Sequence, residues 1–163
     1  MNLWSIVHFG AIVLIFAPIL AQVGEGAETQ DGVKPAEQLL NLSGMQSGVN
    51  TARQVVIRDS KSFQEFWKEH TKFGPIPAPP VPAVDFKKHD VVAVFAGQKS
   101  TGGFSMQIDG VTVKGKSAVI RATLLKPPPG SLLPQIITYP FAIRGFPKLP
   151  AAVKFEIREQ VRK

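Results

Sequence analysis

The chain has 163 residues, 19 Lys and Arg against 12 Asp and Glu, a formal net charge of +7 at pH 7, and no cysteine. That length suits one ordinary domain with a core of its own, while the missing thiols exclude a disulfide framework, thiolate metal sites and a lipid-modified cysteine. The basic residues are scattered singly apart from Lys87-Lys88 and Arg162-Lys163, without interleaved aromatics, which argues against nucleic acid as a partner.

Residues Ile6 to Ala21 carry no Asp, Glu, Lys or Arg, the run Ala11–Ala17 is apolar throughout, and Pro18 and the small Ala21 follow. A short apolar core, a breaker and a small residue are the order of a secretory signal peptide, so residues 1–21 are predicted to be a leader removed after Ala21. The core is short for a membrane span, which needs about 20 residues. An uncleaved anchor is the alternative, since no Lys or Arg precedes the apolar core. Residues 22–52 read as a flexible linker, poor in aromatics, with Lys34 against Glu25, Glu28, Asp31 and Glu37 and a short helix at Pro35–Leu42. The β-rich domain is expected over 53–163, and the location is expected to be exported, periplasmic or extracellular.

Gln54–Arg58 reads as a short strand. Ser62-Phe-Gln-Glu65 has the form of a capping box, and Phe63, Phe66, Trp67 and His70 fall at i, i+3, i+4 and i+7, predicting a helix with one apolar face that Gly74-Pro75 stops. The prolines at 75, 77, 79, 80 and 82 predict a stiff crossing segment. A ligand for proline-recognising domains is the alternative. Val91–Ala96 is continuously apolar, as for a central strand covered on both faces. Phe104, Met106 and Ile108 alternate with polar residues, and Asp109-Gly110 suggests a bulge before Val111-Thr-Val113. Gly115-Lys-Ser117 turns the chain into Ala118–Leu125, which Pro127–Gly130 ends. Gln135–Ile143, interrupted by Pro140, is expected at a sheet edge, and Val153, Phe155 and Ile157 alternate in a closing strand. The expected class is α+β or mainly β: one N-terminal helix on an antiparallel sheet or sandwich of about five to six strands.

Catalytic chemistry is hard to find. Gly97-Gln-Lys-Ser-Thr-Gly102 has the first spacing of a phosphate loop, but Gly103-Phe104 stand where Lys and Ser or Thr are needed, and a strand follows where a helix should. His70 and His89 have no partner at metal-ligand spacing, so His70 reads as a core-edge histidine and no metal or other cofactor is expected. His89-Asp90 are adjacent, which is no evidence for a triad.

Val84-Asp-Phe86, Val91–Phe95, Gly97–Phe104, Met106–Ile108, Thr138-Tyr-Pro-Phe141 and Phe146-Pro-Lys148 together resemble the C-terminal domain of the PrcB proteins over roughly residues 53–158. The resemblance implies an exported bacterial accessory subunit, without enzymatic activity, that associates with and stabilises a secreted protease complex. Unlike lipoprotein members, this chain has no lipobox cysteine. Ser100-Thr-Gly-Gly-Phe104 is also distantly similar to the Thr-Thr-Gly-aromatic loop of chagasin-like cysteine-protease inhibitors, whose Arg-Pro-Trp motif is absent here. Inhibition is therefore an alternative, as is an envelope- or cell-surface-binding module.

The partner is expected to be a protein, with no nucleic acid involved and no stable membrane span once the leader is gone; the sequence leaves the oligomeric state open. If the strands form an antiparallel meander, the turn Gly97, Gln98, Lys99, Ser100, Thr101, Gly102, Gly103 lies at the same hairpin end as the Pro127–Pro134 loop, with Pro127, Pro128, Pro129 and Gly130. That end is the expected binding edge, the alternative being a glycine-rich turn that serves geometry alone. Phe104, Trp67, Phe66, Tyr139 and Pro140 are read as structural anchors.

Overall fold

A computed structural model describes residues 39–162. The predicted leader, most of the predicted linker and the start of the helix expected at Pro35–Leu42 lie outside the described residues. The described elements are β1 (Asn41–Gly44), β2 (Ala52–Ile57), α1 (Ser60–His70), β3 (His89–Ala96), β4 (Ser105–Lys114), β5 (Ser117–Lys126), β6 (Phe141–Pro147) and β7 (Ala152–Val161). The class is mainly β, with two sheets ordered β1-β6-β3-β2 and β4-β5-β7.

Strand β3 shows why the sheets stack as they do. It pairs antiparallel with β2 on one side and β6 on the other. Successive side chains point to opposite faces of a strand, and here both faces are apolar. Val92 and Val94 join Met106, Ile108, Ile120, Ala122, Leu124 and Phe146 between the two sheets. Val91, Ala93 and Phe95 face the other way, onto Phe63, Phe66 and Trp67 of α1. The molecule is thus three layers deep, with α1, the four-stranded sheet and the three-stranded sheet in that order.

The helix buries the predicted face, Phe63, Phe66, Trp67 and His70, but starts earlier than the capping-box pattern predicts. Asp59 is the N-cap: Ser62 N–H donates to Asp59 Oδ1 at 2.9 Å and the Ser62 hydroxyl donates to Oδ2 at 2.8 Å. The Ser62 backbone bond, followed by the hydroxyl bond, holds the Asp59 carboxyl below its ordinary range. Asp59 accepts from both Ser62 donors, so Asp59 is the cap and Ser62 becomes the N3 residue. The helix ends at His70, capped by Thr71, ahead of Gly74-Pro75. Trp67 Nε1 donates to Pro79 O at 3.0 Å and ties the proline segment to the helix.

Further expectations change: seven strands are described where about five to six are expected, and β1 occupies Asn41 and Leu42, where the Pro35–Leu42 helix is expected to end. The helix is not N-terminal, because β1 and β2 precede it. The stretch before Arg53, read as linker to residue 52, enters the fold from Asn41: β1 pairs with β6, and Val49 is buried. Gly48 lies so close to the helix end, donating to His70 O at 2.8 Å, that an added Cβ would sit 1.9 Å from Glu69 O. Next, β6 is an inner strand. It begins only after Pro140, so the proline costs the ladder no donor, and Pro140 O accepts from Ala96 N–H at 2.9 Å. Finally, β7 runs parallel to β5, so the sheets are not a simple antiparallel meander. The hairpin of β4 and β5, with its register shift between Ile108 and Gly110, stands as predicted.

Candidate functional site

The Gly97–Phe104 turn and the proline loop meet at one end of the β4–β5 hairpin, opposite Gly115. They are joined largely through backbone. Lys99 and Thr138 exchange N–H···O bonds at 2.8 and 3.0 Å, and Gly102 N–H donates to Pro134 O at 2.9 Å. The Thr138 hydroxyl, fully buried, donates to Thr101 O at 3.0 Å. Gln98 N–H reaches Asn50 O at 3.0 Å, which ties the turn to the segment before β2.

The glycines serve this clamp. Gly97 and Gly103 have φ of 71° and 85°, a region that L side chains rarely adopt. A Cβ on Gly103 would stand 2.9 Å from a Leu133 methyl and 3.1 Å from Pro127. The close backbone approach that the sequence suggests is therefore met by the chain's own loop. Lys99 and Thr101 are half-buried rather than solvent-borne, with Lys99 Nζ 5.8 Å from the Phe104 ring centroid. Phe104 is half-buried and packs on the inter-sheet core. Pro140 is fully buried, Tyr139 half-buried, and Phe66 and Trp67 lie in the core between α1 and its sheet.

What this end offers to solvent is different from the predicted set. Gln98, Ser100, Pro128, Pro129 and Gly130 are exposed, and beside them stand Leu132, fully exposed, and Ile136 and Ile137, about half exposed at 49% and 52%. Leu132 falls in the Pro127–Pro134 loop expected at the binding edge, but sequence reasoning missed Ile136 and Ile137 because they read as the start of a strand. The signal was available in Pro134 and Pro140, which bracket the segment and deny it a ladder. Single exposed apolar residues are ordinary, and three on one loop make this stretch the candidate surface.

The remaining polar groups serve structure. Asp90 is fully buried and accepts from Arg58 Nη1 at 3.1 Å and Leu149 N–H at 2.9 Å, with Lys148 as a third, cationic partner. Arg58 also donates to the carbonyls of Leu149 and Pro150, at 2.9 and 2.8 Å. The hub binds the end of β2, β3 and the β6–β7 connection together. His70 Nδ1 lies 3.0 Å from the Ser47 hydroxyl, its ring meets Phe141 edge-on at 4.4 Å, and burial holds its pKa below 6.5. An open groove of about 580 Å³ runs between β2 and α1, crossed by the Arg53–Glu69 ion pair at 2.8 Å. Among the described residues no group of three or more His, Asp or Glu is placed to hold a metal ion, and no helix is long and apolar enough to cross a membrane.

The family model described as PrcB C-terminal matches residues 91–144, from β3 through the middle of β6. The resemblance read from the sequence is therefore shown for that segment, which contains both halves of the clamp. No curated protein and no solved structure matches the chain.

Proposed function

We propose that this chain is an exported, non-enzymatic protein-binding module, an accessory subunit that associates with a secreted protease and prolongs its life. The partner sits on the hairpin end built from the Gly97–Phe104 turn and the Pro127–Ile137 loop. The observation that carries this reading is the apolar trio Leu132, Ile136 and Ile137, exposed on a proline-rich loop inside the segment that matches the PrcB C-terminal model. Prolines and the backbone clamp hold this surface in place beforehand, so little ordering entropy is lost on binding. The inhibitor reading fits less well: an inserting wedge must project, whereas Phe104 packs inward and Thr101 O is taken by Thr138.

A tagged full-length chain recovered from the periplasm or the culture medium, followed by mass spectrometry, tests the proposal. A protease should be recovered, and adding the purified chain should lengthen that protease's active lifetime while leaving turnover of a small peptide substrate unchanged. Dose-dependent loss of peptide turnover, or recovery of envelope material without a protease, overturns it.

A further inference from the structure

The ten residues of β7 close the second sheet, and among the described residues nothing pairs with their outer edge. Strand edges with open N–H and C=O groups are templates for another strand. Which groups are open follows from one bond: Arg162 N–H donates to Lys126 O at 2.8 Å. In a parallel ladder each residue turns both its backbone groups to the same side, alternately inward and outward. Even-numbered residues of β7 therefore face β5, and Val153, Phe155, Ile157, Glu159 and Val161 turn their backbone groups outward.

The side chains repeat this division. The odd residues continue the apolar inner face, where Ile157 and Val161 remain 39% and 48% exposed. The even residues carry Lys154, Glu156, Arg158 and Gln160 on the outer face, an alternation of charge about Ile157 in which Glu156 also lies 3.2 Å from Arg121 and Arg158 also donates to Thr123 Oγ1 at 2.7 Å within the chain.

From this pattern we infer that two copies of the chain pair through β7, antiparallel about a twofold axis at Ile157, merging two three-stranded sheets into one of six. In that register Glu156 of each copy lies opposite Arg158 of the other, twice by symmetry, and Val153 meets Val161. Opposite charges directly across a pair stabilise it and like charges destabilise it. Moving the axis to residue 156 sets Glu156 against itself and Lys154 against Arg158. Moving it to residue 158 sets Arg158 against itself and Lys154 against Arg162. Moving it to residue 155 keeps an attraction, Glu156 against Lys154, but pairs only residues 152–158 of β7 where the axis at 157 pairs 153–161. Charge and strand length together select the register, and an isologous contact closes on itself at the dimer. Pairing of this kind is independent of the protease reading, since β7 lies outside both the clamp and the matched segment.

Sedimentation velocity of the full chain over a concentration series tests it. A reversible monomer–dimer equilibrium is expected. Glu156→Arg and Arg158→Glu alone should each raise the dimer dissociation constant by about tenfold or more, as two cross-strand attractions become repulsions. The double exchange should restore it. Ile157→Pro removes an outward N–H without touching the β5 ladder and should abolish the dimer while thermal unfolding stays cooperative. A chain that is monomeric throughout the series, or a dimer that all these variants leave unchanged, overturns the inference.

Discussion

The two ends of β3 are held by opposite means. At its start, Asp90 is fully buried among Arg58, Lys148 and the Leu149 N–H, so charge is turned inward and used to join three elements. At its end, the clamp from Gly97 to Phe104 is held mainly by neutral backbone bonds, and the loop that completes it turns Leu132, Ile136 and Ile137 to solvent. On the proposed function, the difference separates a stabilising end from a presenting end: the buried charge is taken up by its own partners, whereas the apolar side chains on a fixed backbone are exposed among the described residues.

The contrast between the ends is broken most sharply at Asp90. Asp90→Ala leaves the buried Leu149 N–H without its acceptor and removes the partner of Arg58 and Lys148, which are partly exposed and can be solvated, a loss of about 1–3 kcal/mol. Denaturant unfolding should show that loss, while the fraction still folded should bind the partner as the parent does. A loss of affinity without loss of stability would place function at the wrong end of β3.

A smaller effect sharpens the account of the presenting end. His70 lies beneath it, packed on Phe95 and Phe141. Burial holds its folded pKa below the unfolded value of 6.5, so its contribution is intact above that value and is lost as pH falls through it toward the folded pKa. Acidification from about pH 7 to about pH 5 should lower the melting temperature of the parent more than that of His70→Gln. Equal shifts in the two proteins would show that His70 is not held neutral by the core.

What the sequence discloses divides along a similar line. The continuous run Val91–Phe95, the alternation of Met106 and Ile108, the Asp109-Gly110 bulge and the Phe63–His70 face are local patterns, and each corresponds to an observed element. Strand β1 has no local pattern; it exists because Asn41–Gly44 pairs with Phe141–Arg144, residues distant in sequence. The parallel course of β7 is likewise decided by where β6 delivers the chain rather than by the Val153–Ile157 alternation. At the candidate site, the meeting of the turn with the proline loop was legible from hairpin geometry. The exposure of Ile136 and Ile137 was not, because apolar spacing alone does not tell a strand from a loop, and only Pro134 and Pro140 distinguish the two here.

The assignment of function to that end is tested most directly by titrating the recovered partner with two variants. Leu132→Asp combined with Ile137→Asp alters the presenting end with two added charges, and Val113→Asp places one such charge beside Gly115, where Val113 is 52% exposed. The account predicts unchanged melting temperatures for both, a loss of about 1–3 kcal/mol of binding for the first and parent affinity for the second. Parent affinity for the first variant with weakened binding for the second would contradict it.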